Sequence, residues 1–60
     1  MQEDGIIFEF HTIGNTMKVS AIDTRSGTEV SIVAPANQPD SVLKNAALRK
    51  LRYVMNKKNA

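Results

Sequence analysis

The chain has 60 residues, a formal net charge of +2, one histidine and no cysteine. These numbers exclude a disulfide framework and leave too few thiol and imidazole ligands for an ordinary zinc site. A domain this small buries only about 60% of the surface that its unfolded chain exposes. We therefore expect residues 1–60 to form one marginally stable domain, for which a homodimer is the remaining common source of added stability.

Three apolar runs separated by glycine turns predict β-strands at Ile6–Ile13, Thr16–Asp23 and Thr28–Ala34. The dipeptide Gly14-Asn15 suits a two-residue hairpin, and Gly27 suits the left-handed position of a slightly longer turn. Both connections are too short for a parallel crossover. The sequence therefore predicts a three-stranded antiparallel meander with the second strand in the centre.

Two prolines separate the third strand from a predicted helix over residues 40–57. Pro35 removes an amide donor, so we expect the strand to end near Ala34. Asn37 or Gln38 is then the expected helix cap, with Pro39 in the first helical turn.

The predicted helix is amphipathic, because apolar residues recur along it at spacings of three and four. Such a stripe can cover one face of the sheet, which predicts an α+β fold of order β-β-β-α. The expected core combines this stripe with one face of each strand: Phe8, Phe10, Val19, Val30, Ile32, Leu43, Ala47, Leu51 and Val54.

The other face of the sheet has no predicted cover and is only partly polar. It would present four branched apolar residues, Ile7, Ile13, Ile22 and Val33, among charged and hydroxyl side chains. Scattered exposed apolar residues are normal in monomers, whereas contiguous apolar surface usually marks an interface. The sequence thus predicts an interaction module that self-associates through its sheet, with pairing of strand edges as another route to a dimer.

The charges divide unevenly between the predicted sheet and the predicted helix. Residues 1–37 carry two basic and five acidic side chains, whereas residues 38–60 carry six basic and one acidic. The alternative function is therefore nucleic-acid binding, with Tyr53 available for stacking. Its expected contacts are Arg49, Lys50, Arg52, Lys57 and Lys58. Cations near a helix C-terminus are also favoured by the helix dipole alone.

No residue pattern predicts catalysis or a cofactor. His11 lacks the partners of a metal site, and we expect an ordinary surface or interface histidine. Ser20 and His11 could share a face, but a serine nucleophile also needs an orienting group and oxyanion donors. Phosphate-binding loops cluster their glycines before a helix, and the three glycines here are isolated. We expect a non-enzymatic protein without a bound metal.

The segment Met1-Gln2-Glu3-Asp4-Gly5 is acidic and lacks the basic start and apolar run of a secretory signal. No stretch of the sequence approaches the roughly 20 apolar residues that span a bilayer. These features predict a cytosolic protein without membrane association.

Three segments carry a resemblance to a known family: GNTMKVSAID from Gly14, GTEVSIVAPAN from Gly27 and LKNAALRKL from Leu43. They resemble a family of very small uncharacterised alphaproteobacterial proteins, a domain of unknown function. Some members carry the label serine hydroxymethyltransferase, but a chain this short cannot house the cofactor fold of that enzyme. The resemblance implies a bacterial origin and no catalytic residues.

Overall fold

The computed structural model describes residues 2–3 and 5–59, with side chains from residue 5 to residue 57. It contains β1 (Gln2–Glu3), β2 (Ile6–Ile13), β3 (Thr16–Asp23), β4 (Glu29–Pro35) and α1 (Asp40–Asn59). The strands form one antiparallel sheet of order β1-β2-β3-β4. The predicted α+β order of three long strands and one helix is confirmed, with β3 at the centre of the three.

Strand β1 is an addition to the predicted meander. It pairs Gln2 with Ile7 and Glu3 with Ile6, and therefore borders only the first two residues of β2. Two polar residues are too short a segment for the alternation by which a strand is read from sequence.

The first hairpin has the predicted two-residue turn. Gly14 has a φ of 57°, the left-handed conformation that glycine adopts without steric cost. Ile13 and Thr16 pair across the turn, and the Thr16 hydroxyl donates a hydrogen bond of 2.7 Å to the Ile13 carbonyl. This turn sets the register that places alternate residues of β2 and β3 on the same face.

The second turn is organised by the carboxylate of Asp23. One carboxylate oxygen accepts hydrogen bonds from the Ser26 hydroxyl at 2.7 Å and from the Ser26 amide at 3.1 Å. Gly27, with a φ of 76°, donates its amide to the Asp23 carbonyl at 2.8 Å. The Ser26 hydroxyl also lies 2.8 Å from Thr28 Oγ1. Asp23 is only 6% exposed, and these bonds satisfy a carboxylate that would be costly to bury without partners.

Strand β4 continues one residue beyond its predicted end and includes Pro35. The amide of Asp23 donates to the Thr28 carbonyl, and that of Ala36 donates to the Asn15 carbonyl. Hydrogen-bonded pairs alternate with non-bonded pairs in an antiparallel ladder, so Pro35, opposite Thr16, occupies a non-bonded position. Its missing amide therefore costs no bond to β3.

The helix cap differs from the prediction of Asn37 or Gln38. The carbonyl of Pro39 accepts the amides of Val42 at 3.1 Å and of Leu43 at 3.2 Å. Pro39 therefore holds the cap position itself, and the helix begins at Asp40. The carboxylate of Asp40 then lies in the first turn, where the helix dipole favours negative charge.

The core lies between α1 and one face of the sheet. Its buried members are Phe8, Val19, Ala21, Val30, Leu43, Ala47 and Leu51. Packed around them are Ile6, Phe10, Met17, Ile32, Ala34, Leu48, Val54 and Met55. All nine predicted core residues belong to this cluster, although Phe10, Ile32 and Val54 are only partly buried. Ala21 is a fully buried member that the prediction omitted.

The helix packs mainly over β3 and β4, and β2 is covered by its own large side chains. Ala21 and Ala47 are fully buried between the two layers, where small side chains let the helix approach closely. Phe8 on β2 is buried beside the helix, and the Lys44 ammonium lies 5.4 Å from the centre of its ring. A helix about 10 Å wide spans about two strands at 4.8 Å spacing. The space over β2 is therefore filled by aromatic side chains instead of the helix.

We predict that Asp23→Asn weakens the acid sensitivity of folding. The Ser26 hydroxyl, more than any other group, holds the pKa of Asp23 below its ordinary value of 3.8. A carboxylate with a lowered folded-state pKa contributes stability above pH 3.8, and that contribution is lost as the pH falls through the lower value. In urea titrations between pH 2 and pH 7, Asp23→Asn should be less stable at pH 7 and should lose less stability on acidification.

Ser26→Ala should also reduce the loss of stability on acidification, because it removes the largest cause of the lowered pKa of Asp23. Ser41→Ala, at an exposed position in the first turn of α1, is the matched control and should follow the unaltered protein. If the free energy of unfolding of both Asp23→Asn and Ser26→Ala depended on pH as it does in the unaltered protein, this role of the turn would be contradicted.

Candidate functional site

The main candidate site is the face of the sheet opposite α1, which we call the open face. Alternation along the strands and the register between them place twelve residues there. They are Ile7, Glu9, His11 and Ile13 of β2, Thr16, Lys18, Ser20 and Ile22 of β3, and Glu29, Ser31, Val33 and Pro35 of β4. Within residues 2–3 and 5–59, no helix or strand lies over this face.

All four residues predicted for self-association lie on the open face. Ile13 and Val33 are 56% and 68% exposed, whereas Ile7 and Ile22 are half-buried and pair directly across β2 and β3. Polar residues in the middle rows of the face lie between this isoleucine pair and the other two residues. The structure therefore divides the expected apolar patch. Ile7 and Ile22 form a pair at one end of the strands, whereas Ile13 and Val33 lie on the two outer strands with β3 between them.

The middle of the open face is a shallow depression of ≈ 560 Å³. Its lining comprises Glu9, His11, Ile13, Lys18, Ser20 and Glu29. Ser20 is buried at its floor, and Glu9 lies directly across from it on β2. The sequence indicated these charges only as the polar surroundings of an apolar patch. The grouping of Glu9, His11 and Lys18 on one face follows from the alternation of side chains along β2 and β3 once these strands are paired.

The charged side chains around this depression could bind a partner of complementary charge. His11 and Ser20 share the face, as expected, but no hydrogen bond joins them in the part of the chain that the structure describes. Amides of a sheet lie in its plane and point toward neighbouring strands, so none is directed at an oxyanion above Ser20. Among residues 2–3 and 5–59, no group of three or more histidine, aspartate or glutamate residues could hold a metal ion.

The second candidate surface is the outward side of α1. Arg49, Arg52 and Lys57 are exposed there, as predicted for residues that contact phosphates. Tyr53 is 66% exposed, and the Lys57 ammonium lies 5.9 Å from the centre of its ring. Lys58 belongs to the same helix, but its side chain is outside the described residues. The structure thus places an exposed aromatic ring among three cations on one helix.

Lys50 differs from the other predicted phosphate contacts because it already has a partner in the sheet. Its ammonium donates a hydrogen bond of 2.8 Å to the carbonyl of Ser31. Ser31 forms a non-bonded pair with Ser20 in the antiparallel ladder, so its backbone groups point away from β3, toward the outer edge of β4. Lys50 therefore reaches over the rim of the sheet and occupies one acceptor of that edge.

The two long outer edges of the sheet are therefore protected differently. On β2, the strand β1 borders Ile6 and Ile7 alone, which leaves the outward backbone groups of Phe10 and Thr12 without a neighbouring strand in the described chain. On β4, the Lys50 ammonium occupies the outward carbonyl of Ser31. A lysine on a strand edge opposes pairing with another chain, because pairing would require its charge to be desolvated or displaced.

We predict that Lys50→Ala increases association through β4. The variant should keep its unfolding free energy within about 0.5 kcal/mol, because an exposed bond of this kind is worth little. It should form more large oligomers than the unaltered protein during incubation at millimolar concentration, measured by sedimentation velocity. Lys50→Arg, which retains a donor, and Arg49→Ala, which removes a neighbouring charge, should behave like the unaltered protein. Equal oligomer content in all four proteins would show that Lys50 does not protect the edge.

Comparison with known proteins identifies the chain at the level of a family. The profile of a domain of unknown function, DUF6898, matches residues 3–58. No curated protein matches the chain significantly, and no solved structure does so. Within the described residues, α1 does not combine the length and the apolar character needed to cross a membrane.

Proposed function

The chain belongs to the DUF6898 family of domains of unknown function, and we propose that it is a small, cytosolic, non-enzymatic interaction module. In this proposal the open face is the interaction surface and a second copy of the chain is the partner. The bacterial origin implied by the sequence resemblance and the cytosolic setting stay predictions of the sequence.

The observation that carries this proposal is the apolar content of a sheet face that lacks cover in the described chain. Ile13 and Val33 are more than half exposed on it. Burial of apolar side chains is the main driving force of association, and no helix or strand of the described residues covers these two. A second copy supplies a surface of the same composition without requiring a further component.

The non-enzymatic part of the proposal is supported by the geometry of the depression on the open face. Its floor is formed by the sheet itself, and its walls are side chains of β2, β3 and β4. Small-molecule sites bury most of their ligand in a concave, mostly apolar pocket. A shallow charged depression is better suited to side chains of a facing surface.

The dimensions of the face predict weak association. Three strands of about eight residues cover about 14 Å by about 26 Å, or about 370 Å² of projected area. Stable interfaces bury about 800 Å² on each partner. We therefore expect a dissociation constant of roughly 10–100 µM, in the range of transient complexes.

We predict a monomer–dimer equilibrium between 1 µM and 1 mM, measured by sedimentation equilibrium. Val33→Ser should weaken the dimer about tenfold or more, because a two-fold dimer loses the buried methyl groups twice. Val42→Ser is the matched control, since Val42 is 49% exposed on α1, and it should leave the dissociation constant unchanged. An unaltered protein that stays monomeric at 1 mM would contradict the proposal.

A second candidate function is the binding of single-stranded nucleic acid along α1. The observation that favours it is the exposed ring of Tyr53 beside Arg49, Arg52 and Lys57. Aromatic rings stack on bases of any sequence, and neighbouring cations contact the phosphates. The bond from Lys50 to Ser31 removes one cation from this surface and weakens the candidate relative to self-association.

For this second candidate function, we predict salt-dependent binding of a labelled ten-nucleotide thymidine strand, measured by a fluorescence anisotropy titration. Three phosphate contacts should give a plot of log affinity against log salt with a slope of about −2. Tyr53→Ala should weaken binding several-fold through lost stacking, whereas Arg25→Ala, at an exposed turn of the sheet, should have little effect. No binding at low salt, or binding independent of salt, would remove this candidate.

A further inference from the structure

We infer that two copies pack open face to open face with their strands reversed, so that Glu9 of each copy meets Lys18 and His11 of the other. This inference rests on the proposed function, because it specifies how the second copy is recognised. It assigns specificity to charged residues that neither the family description nor the apolar content of the face singles out.

The strand register arranges the residues of the open face in four rows that run across β2, β3 and β4. From the end nearest the second turn, the rows are Ile7–Ile22–Glu29, Glu9–Ser20–Ser31, His11–Lys18–Val33 and Ile13–Thr16–Pro35. Successive rows lie about 7 Å apart, which is two residues along a strand.

Acidic and basic side chains of the open face lie in different rows. Both acidic residues, Glu9 and Glu29, lie in the first two rows, and both basic groups, His11 and Lys18, lie in the third. The face is therefore electrically polar along the strand direction. A surface of this kind repels a copy placed over it in the same direction and attracts a copy placed in the reverse direction.

Two-fold symmetry can relate a pair of stacked sheets in two ways. An axis parallel to the strands keeps each row over its own counterpart, and it places Lys18 directly over Lys18 of the second copy. An axis across the strands places the second row over the third. Glu9 then faces His11 of the second copy, with Lys18 beside it, and the contact occurs twice because the interface is isologous.

The same axis also provides for the apolar residues. It places the first row over the fourth, so that the half-buried Ile7 lies over the exposed Ile13 of the second copy. The row that holds Ile7 and Ile22 in each copy therefore lies over the row that holds Ile13 in the other. Charge and apolar burial favour the same arrangement, which gives one defined register to a face with modest area.

The inference is tested with two charge reversals, Glu9→Lys and Lys18→Glu, studied separately and as a mixture. Each variant alone places two like-charged pairs in its dimer and should weaken self-association at least tenfold. In the mixed dimer, one contact joins the two substituted positions, whose charges are again opposite. The other contact keeps the native pair of Glu9 and Lys18. The heterodimer should therefore form with a dissociation constant within about threefold of the unaltered protein.

The readout is the mass distribution from sedimentation equilibrium, with a fluorescent label on one variant to identify mixed dimers. Circular dichroism melts of each variant establish that it is folded. The double variant Glu9→Lys/Lys18→Glu restores opposite charges at both contacts, so it should also recover the dimer. Raised salt should weaken the unaltered dimer, because charge attraction is screened.

The outcomes separate this inference from the proposed function. An unaltered protein that is monomeric at 1 mM would overturn both. A dimer that the single reversals leave intact, or that the mixture fails to restore although both variants are folded, would overturn the reversed packing alone. Recovery in the mixture and in the double variant, but in neither single variant, supports the pairing of Glu9 with the positive row.

Discussion

The packing of a single helix against one side of the sheet is the constraint on which the rest of this structure depends. The helix lies over β3 and β4, and the fully buried Ala47 and Ala21 are small enough to allow a close approach of the two layers. Its width leaves the core side of β2 to Phe8 and Phe10, which belong to the same hydrophobic cluster. The buried apolar residues of the described chain all lie on this side. The opposite side is consequently left as a surface that no helix or strand of the described residues covers.

Much of this arrangement could be predicted from the sequence, because it follows from residue patterns that repeat every two residues in the strands and every three or four residues in the helix. Alternation of apolar and polar residues indicated the faces of β2, β3 and β4, and the spacing of Leu43, Ala47 and Leu51 indicated the buried side of the helix. The glycine turns indicated the antiparallel connections. Each of these signals is local, and each agrees with its neighbours on one layered fold.

The features that the sequence did not predict depend on contacts between distant parts of the chain. Strand β1 is too short for an alternation of apolar and polar residues to be recognised in the sequence. Pro35 is tolerated in β4 because of the phase of the hydrogen-bond ladder, which is known only once the register is known. The cap at Pro39 and the bond from Lys50 to Ser31 likewise depend on how the helix is placed over the sheet. At the candidate site, residue identity was predictable, whereas the ordering of charges into rows required the paired strands.

The placement of Tyr53 has a spectroscopic consequence. It is the sole tyrosine, and the chain has no tryptophan, so the intrinsic emission of the protein comes essentially from this one ring. The ring projects from the helix on the far side of the molecule from the open face, with the Lys57 ammonium nearby. Emission should therefore respond to a molecule bound along the helix and remain nearly constant when two sheets meet. A single unlabelled sample thus carries a built-in reporter that tells one mode of recognition from the other.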